Sequence, residues 1–423
     1  MKYDKRDSIR AERMLEIAAM VEKAVARGRP ADRELARIFR QNRSFGSHDR
    51  RIYSEAAFAL LRWRGWTGTL EQTGPRALLQ ALLLDSDAIT PHLCALADSL
   101  QIASETLRAL GALDLADKAQ ALSGMNGGSA SPATESLIPA WALDSLPFDS
   151  DARSAWIASI QTSLPVWIRI DSGHEQAARS VLESNAIGIQ PHPALPLAWR
   201  SDRNISRAVL NSSEAGHIHL QDLSSQAVAL ICAPQPGESW WDLCAGGGGK
   251  SLHLADLLGE TGSILASDPR AESLRSLHER ARRANIGIIK TRKSAKAAEA
   301  EIFDGVLVDA PCSGSGTWAR NPDARCRTDQ AFVENRARLQ VRLLEQAAAA
   351  VKPGGKLVYA VCSLFKQETT DVIAAFSASR PDFKPAPFRN PLTGEDCPGQ
   401  LLIDGVSEQT IAMFIARFSR SAP

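Results

Sequence analysis

Apolar residues recur at three- and four-residue spacing through the first part of the chain, from Ile9 to about Leu122. The spacing is clear in RMLEIAAMVEKAV and YSEAAFALLRW, where β-branched residues are few. It is typical of amphipathic helices that share a core. The run ends in SGMNGGSASPATES at residues 123–136, where glycine, serine and proline crowd together as in a linker. We therefore predict an all-helical domain, with its linker, over residues 1–136.

The pattern changes after this linker into short apolar runs separated by proline and glycine. PVWIRID has the composition of a strand, and HEQAARSVLESN has the spacing of a helix. These features predict a small α+β module over residues 137–221.

Strand and helix patterns alternate over residues 222–423. Helical stretches separate the first four strand candidates, so a parallel, doubly wound α/β sheet is the expected arrangement. Ligands of such sheets bind at the carboxyl ends of the strands. The strand candidates are WWDLC (240–244), SILAS (263–267), DGVLVD (304–309), KLVYAVC (356–362) and TIAMFIARF (410–418).

Charge is balanced overall but uneven along the chain. The 423 residues carry 49 Lys and Arg against 48 Asp and Glu, for a formal net charge of +1. Residues 1–64 nevertheless hold 16 basic and 9 acidic residues, and a second basic run extends from Arg270 to Lys296. Such runs can bind the phosphates of a nucleic acid, although each run alone is more simply explained as a solvated charged face.

The cysteines predict neither disulfides nor a zinc site, because they are scattered, odd in number and free of any C-x-x-C pair. The amino terminus is polar, and no apolar run approaches the roughly 18 residues of a membrane span. We expect a monomeric cytoplasmic protein that binds neither metal nor membrane. The seven cysteines are Cys94, Cys232, Cys244, Cys312, Cys326, Cys362 and Cys397.

A glycine-rich turn follows the strand WWDLC directly, in AGGGGKS. Consecutive glycines let the backbone approach a nucleotide-like ligand at a helix amino terminus. The turn is not a phosphate-binding P-loop: with Gly249 and Lys250 as its G-K pair, the first glycine would fall on Cys244. Asp268, after the next strand, has the position of an acid that accepts ribose hydroxyls, although an aspartate there can also be only a turn residue.

Two cysteines follow two other strands. Cys312 lies in a Ser/Gly loop after the strand that ends at Asp309, and Cys362 ends KLVYAVC. Thiols at the carboxyl ends of two strands can face one pocket, where polar neighbours favour reactivity. The remaining cysteines are more simply small buried hydrophobic residues.

WDLCAGGGGKS, VLVDAPCSGSGTWARNPD and KLVYAVCSLFKQE resemble the signature motifs of the Nop/Sun-type RNA (cytosine-5)-methyltransferases. The likeness extends to residues 219–238 and, more weakly, to residues 48–63, which are similar to the antitermination factor NusB. It implies a Rossmann-like, class I S-adenosylmethionine-dependent methyltransferase domain over residues 222–423. The α+β module and a NusB-like helical domain, both RNA-binding in the family, would precede it.

The resemblance also implies roles for individual residues. Cys362 would be the nucleophile and Cys312 would assist release, whereas DNA cytosine methyltransferases attack with the cysteine of Pro-Cys. A thiolate that adds to carbon 6 of cytosine makes carbon 5 nucleophilic, Asp309 would bind the base edge, and Lys250 could favour the thiolate. The residues expected to contact S-adenosylmethionine are Cys244, Ala245, Gly246, Gly247, Gly248, Gly249, Lys250, Asp268 and Asp309.

The chain departs from the family pattern at several positions. Gly246 and Gly247 replace Ala-Pro, Val361 replaces Thr, and Thr369 and Thr370 replace Asn-Glu. The acid that usually meets the adenine after the third strand has no clear match in IIKTRKSAKAAEAEIFD. These departures put cofactor affinity and adenine contacts in doubt.

Small-subunit (16S) ribosomal RNA is the expected substrate, because the helical domain and the insert resemble those of the family's bacterial ribosomal enzymes, and transfer RNA is the alternative. Two other functions stay open: a catalytically weakened RNA-binding assembly factor on the same fold, and a small-molecule methyltransferase. The paired cysteines argue against the first, and the helical domain and basic runs argue against the second.

Overall fold

A computed structural model describes residues 2–128, 130–212, 215–293 and 302–422. The chain forms two compact units, Met1–Ser163 with Thr317–Gln330, and Leu164–Gly316 with Ala331–Pro423. The first unit continues past residue 136, the boundary expected from the linker composition. The division into three domains remains a prediction.

The first unit is helical, as the apolar spacing predicts. Asp4 begins its first helix by accepting hydrogen bonds from the backbone N–H groups of Arg6 and Asp7. None of the helices described in either unit is both long and apolar enough to cross a membrane. The helices of the first unit are α1 (Lys5–Ala26), α2 (Ala31–Gln41), α3 (Ser47–Thr67), α4 (Leu70–Thr73), α5 (Pro75–Asp85), α6 (Pro91–Ser99), α7 (Leu115–Met125), α8 (Ala140–Leu143), α9 (Ser150–Ser159) and α15 (Pro322–Arg327).

A segment from much later in the sequence, Thr317–Gln330, completes the core of this helical unit. Trp318 is fully buried there, with its ring centroid 5.8 Å from that of Trp156. In α15, Arg325 Nη1 donates to the Leu137 carbonyl at 2.9 Å, and Asp323 Oδ2 accepts from the Ala31 N–H at 3.2 Å. The motif that contains Cys312 therefore continues into the other unit.

The second unit begins with a four-stranded antiparallel sheet in the order β2-β3-β1-β4, which agrees with the α+β pattern of this region. Its apolar core includes Ile168, Leu182 and Trp199. The elements are β1 (Val166–Ile170), α10 (Glu175–Ser184), β2 (Ile189–Pro191), β3 (Ala198–Ser201), α11 (Arg207–Leu210) and β4 (Ile218–Leu220).

Among the described residues, the second sheet has eight strands in the order β10-β14-β9-β8-β5-β6-β7, with β13 also paired to β14. Strands β5 to β9 are parallel, as predicted, whereas β14 is antiparallel to β9. The elements are α12 (Leu223–Cys232), β5 (Ser239–Asp242), α13 (Gly249–Leu257), β6 (Ser263–Ser267), α14 (Ala271–Arg283), β7 (Ile289–Arg292), β8 (Phe303–Asp309), α16 (Gln330–Ala349), β9 (Val351–Val361), α17 (Thr370–Ser379), β10 (Phe383–Pro385), β11 (Phe388–Arg389), β12 (Asp396–Cys397), β13 (Gln400–Ile403) and β14 (Met413–Arg420).

Two adjacent tryptophans on β5 pack into cores on opposite faces of this sheet, as the period of two in a strand requires. Trp240 belongs to the core formed with α12 and α13, and Trp241 to the core that includes Leu344 of α16. Gly305 on β8 makes room for Trp240, since a Cβ atom at Gly305 would lie 2.4 Å from the indole ring. This packing fixes β5, and with it the turn at its carboxyl end.

Candidate active site

The two cysteines predicted to face one pocket lie side by side. Cys312 follows β8 and Cys362 follows β9, and these strands are parallel neighbours. Their sulfur atoms are 3.3 Å apart. The hydrogen bond with Cys362, together with burial, raises the pKa of the Cys312 thiol well above its ordinary value. Cys312 is therefore held as a thiol that can donate to its partner.

Lys250 and Asp309 form an ion pair at the same edge of the sheet. Lys250 lies in the first turn of α13, and its Nζ is 2.7 Å from Asp309 Oδ2. Burial by itself would lower the pKa of Lys250, but Asp309, with a smaller contribution from Cys362, outweighs burial and raises it. The ammonium group thus stays charged within the electrostatic reach of Cys362.

Glu368, which the sequence interpretation did not single out, joins the two cysteine loops. Its side chain is fully buried. Oε1 accepts from the Ser313 N–H at 2.8 Å, and Oε2 accepts from the Ser363 hydroxyl at 2.7 Å and from the Ser313 hydroxyl. Each serine directly follows one of the two cysteines. One carboxylate therefore sets the separation of the loops that carry the thiols.

Further hydrogen bonds fix Glu368 and the loop of Cys312. Gln340 of α16 donates from Nε2 to Glu368 Oε1 at 3.0 Å and to the Pro311 carbonyl at 3.1 Å. The Tyr359 hydroxyl donates to the backbone carbonyl of Glu368 at 2.7 Å. The sequence signal available for this role was the position of Glu368, six residues after Cys362. The signal is weak because a glutamate is more often exposed.

The glycine-rich turn connects β5 to α13 through residues 243–248 and brings the backbone close to α14. Gly246 and Gly248 have φ angles of +54° and +81°, a region that favours glycine. A Cβ atom at Gly248 would lie 2.4 Å from Leu277 Cγ. At the base of the turn, burial raises the pKa of Asp242 to about 7, and its Oδ2 accepts from the Ser251 hydroxyl at 2.6 Å. The turn is thereby anchored to both neighbouring helices.

Asp268 lies at the end of β6, as predicted, but its carboxylate already has protein partners. The Gly246 N–H donates to Oδ2 at 3.0 Å, and the Arg270 guanidinium donates to both oxygens at 2.8–2.9 Å. Burial acts to raise the pKa of Asp268, but the bonds from Arg270 outweigh burial and lower it. The Asp268 side chain is 3% exposed and that of Arg270 is 66% exposed. A ribose at Asp268 would therefore have to displace the exposed arginine.

These residues fit an adenosyl cofactor. Directly after the turn, open space surrounds Gly249 at the start of α13, where nothing lies within 4 Å of a Cβ position. Asp268 supplies an acceptor once Arg270 leaves, and Cys244 is an unreactive neighbour whose thiol pKa is raised by burial. The sequence after β7, where the family's adenine-binding acid is usually found, lies mostly at residues 294–301, outside the described residues, as does Lys296 of the second basic run.

Cys94, Cys232, Cys326 and Cys397 are not among the residues of the site. All seven cysteines are free thiols, and Cys94, Cys232 and Cys397 are buried. Within the described part of the chain, no group of three or more His, Cys, Asp or Glu side chains is placed to hold a metal ion.

Comparison with known proteins matches residues 229–418 to the family described as 16S rRNA methyltransferase RsmB/F. This range contains both thiols, the Lys250–Asp309 pair, Asp268 and Glu368. Residues 229–418 are similar to an RsmB/F-type methyltransferase domain. The predicted resemblance is thereby confirmed over this range, which is the part of the chain that carries the quoted motifs.

Individual relatives agree with this methyltransferase assignment. Ribosomal RNA small subunit methyltransferase B of Cronobacter sakazakii is 30% identical over 260 residues, which are 58% of this chain and 59% of that protein. The chain thus matches less than two thirds of that relative's length. A methyltransferase homolog from Pyrococcus horikoshii is 26% identical with a TM-score of 0.54, over 65% of this chain and 92% of that chain.

The crystal structure of PH0851 is similar over more of the molecule. It covers 96% of this chain and 99% of its own, with a TM-score of 0.73 and 24% sequence identity. At this identity the similarity shows the fold alone, and it supports the α/β class predicted from the alternating strands and helices.

Proposed function

We propose that this protein transfers a methyl group from S-adenosylmethionine to carbon 5 of a cytosine in RNA, through a covalent bond between Cys362 and carbon 6. The observation that carries the proposal is the thiol pair, with sulfur atoms 3.3 Å apart at the ends of β8 and β9, beside the Lys250–Asp309 ion pair. A binding module has no evident use for two such thiols.

The two thiols suit different steps. Because the pKa of Cys312 is raised, this residue keeps its proton and offers a hydrogen bond to a thiolate at Cys362. Attack by Cys362 on carbon 6 gives carbon 5 the electron density that a methyl group accepts. Asp309 would bind the N3/N4 edge of the base, where charge changes during attack.

Release requires a base for the carbon 5 proton. Once the Cys362 sulfur is bonded to carbon 6 it is no longer an anion, so the interaction that chiefly raises the pKa of Cys312 is lost. Cys312 can then give up its own proton to water and accept the proton from carbon 5. The carbon–sulfur bond breaks as that proton leaves, which regenerates the Cys362 thiolate.

S-adenosylmethionine, when bound, would supply the electrophilic methyl group. Residues 244–250 would hold it through the backbone, and Asp268 would accept hydrogen bonds from the ribose. The match of residues 229–418 to a methyltransferase family supports this cofactor.

Small-subunit ribosomal RNA is the substrate that we propose, because the family and the Cronobacter relative are both named for it. Bisulfite sequencing of total RNA from a strain without the protein should lose one 5-methylcytosine signal in 16S RNA. The purified protein with S-adenosylmethionine should restore that signal, and the Cys362→Ala variant should not.

The other candidate functions give different results in the same experiment. If the 5-methylcytosine signal were lost from transfer RNA instead, transfer RNA would be the substrate in place of 16S RNA. If no RNA lost a signal and the purified protein methylated none, the assembly-factor function would replace the enzyme.

A further inference from the structure

A polar cavity of about 480 Å³ lies in the second unit, outside the residues of the candidate active site. The wall formed by α14 presents Ser276, Arg280 and Arg283, and α11 presents Arg207. The backbones meet closely at its edge, since a Cβ atom at Gly216 would lie 2.2 Å from the Arg283 carbonyl oxygen. The cavity is lined by residues of α11, β4 and α14 and not by one helix face alone.

Arg280 connects this cavity to the glycine-rich turn. Its Nη1 donates to the Gly247 carbonyl at 2.8 Å, and no carboxylate of the described residues forms an ion pair with it. Desolvation lowers the pKa of Arg280 to about 10; repulsion by Arg169 and Arg283 adds to this effect, and attraction by Asp171 opposes it in part. Arg280 remains protonated at neutral pH, so the cavity wall carries a partly desolvated positive charge.

The other arginines of the cavity also lack acidic partners within the described residues. Arg283 donates to the side-chain oxygen of Asn211, a neutral acceptor, and Arg207 is exposed at the start of α11. Glu279 is the one carboxylate among the described residues that line the cavity, and its side chain is exposed. The excess of positive charge leaves guanidinium donors available to an anion.

We propose that this cavity binds a phosphodiester group of the substrate RNA. The inference rests on the proposed function, because it takes RNA as the substrate. Guanidinium groups bind phosphate oxygens through paired hydrogen bonds, and three of them around one concave site suit a backbone phosphate. The bond from Arg280 to Gly247 joins this site to the turn that would hold the cofactor. RNA and cofactor would therefore contact one continuous element.

The test compares two double variants with the same change of charge. Arg207→Gln with Arg283→Gln removes two cavity arginines, whereas Arg275→Gln with Arg282→Gln removes two exposed arginines of α14 that do not line the cavity. Binding of a fluorescein-labelled single-stranded RNA is measured by anisotropy at several salt concentrations, without cofactor.

The cavity variant should bind the RNA at least about tenfold more weakly. Its salt slope should fall by about 0.7, because that is the change expected for one lost phosphate contact on a single strand. The control should stay within about twofold of the wild type. If both double variants lost the same RNA affinity, the proposal would be overturned, because binding would then depend on the number of positive charges and not on their place in the cavity.

Two further variants distinguish a loss of RNA binding from a folding defect. Arg283→Lys keeps the charge and loses the paired donors, so an intermediate affinity is expected. Arg207→Gln alone changes an exposed side chain and should weaken RNA binding by a few-fold without changing the melting temperature. Full affinity in both variants would contradict the site.

Inorganic phosphate distinguishes RNA from a small anion. It should weaken RNA binding by the wild type and should have much less effect on the cavity variant. If phosphate binding needed Arg207 and Arg283 but RNA binding did not, the cavity would be a small-anion site and the proposal would fail. Because the assay involves no turnover, RNA that bound at the cavity without being methylated would overturn only the proposed function.

Discussion

The loops that carry Cys312 and Cys362 are held by a fully buried carboxylate, whereas Asp268, at a strand end of the same sheet, is held by an exposed arginine. Glu368 accepts from donors in both cysteine loops and is itself fixed by Gln340. The Arg270 side chain, whose guanidinium is hydrogen-bonded to the Asp268 carboxylate, is 66% exposed, and Arg270 lies in the same short loop as Asp268.

The comparison separates side chains that are already in position in the free protein from side chains that must move when a ligand binds. The thiols are already positioned, and moving them would break several buried hydrogen bonds, which are costly to leave unmade. The Arg270–Asp268 bond is a partly solvated contact of small net value, so a ligand can displace it. We therefore expect changes at the thiols to affect turnover and changes at Asp268 to affect cofactor affinity.

The largest expected effect is at the thiols. Cys362→Ala should abolish methylation and form no covalent adduct with RNA, because no thiolate remains to attack carbon 6. Cys312→Ala should still attack but should accumulate protein joined to RNA, because proton removal is impaired. A denaturing gel with labelled RNA and cofactor shows the adduct as a slow band, and Cys94→Ala serves as a buried-cysteine control.

The roles would be exchanged if the slow band formed with Cys362→Ala and not with Cys312→Ala. If neither substitution changed methylation, both thiols would be structural and the proposed mechanism would fail.

The next effect is at Glu368. Glu368→Gln replaces an acceptor of several hydrogen bonds, so both cysteine loops should shift. Displacement of reacting groups by about 1 Å can cost about 100-fold in rate. We expect kcat to fall by about that factor, with KM for the cofactor changed less than about threefold.

Glu272→Gln is the matched control for Glu368, because its side chain is 91% exposed on α14, and it should retain full activity. Melting temperatures of both variants should be measured alongside. If KM for the cofactor rose by the same factor as kcat fell, or if kcat did not change, Glu368 would not position the thiols.

Asp268→Ala should have a smaller effect that acts on cofactor binding. Loss of a charge-assisted acceptor for the ribose should weaken binding of S-adenosylhomocysteine by at least about tenfold, or about 1.4 kcal/mol, in calorimetry. The adduct yield at saturating cofactor should be nearly normal. Unchanged affinity would remove Asp268 from the cofactor site.

The smallest effect should have the opposite sign. Arg270→Ala frees the Asp268 carboxylate, so cofactor affinity should rise by about two- to fivefold, which corresponds to the value of an ion pair whose arginine is largely exposed to solvent. Calorimetry of the two variants side by side provides the comparison. Weaker binding by Arg270→Ala would mean that the arginine contacts the cofactor directly.

Sequence and structure agree best where the signal is local. Two of the five predicted strands, SILAS and DGVLVD, lie within β6 and β8, because period and composition are properties of the segment itself. KLVYAVC extends one residue past the end of β9, and WWDLC extends two residues past the end of β5. The last strand has the predicted location, but its antiparallel pairing with β9 depends on a partner that no local pattern names. The short strands β10 to β13 were not predicted for the same reason.

The sequence by itself determined the elements and the reactive residue types: helices from the apolar spacing, strands from composition, and thiols, lysine and aspartates at strand ends. Only the tertiary structure decided which of these groups meet. Packing and hydrogen bonding bring Cys312 into contact with Cys362 and place Glu368 between their loops. They also pair Arg270 with Asp268 and bury Trp318 in the helical unit. Such contacts depend on the three-dimensional path of the whole chain, which spacing along a segment does not encode.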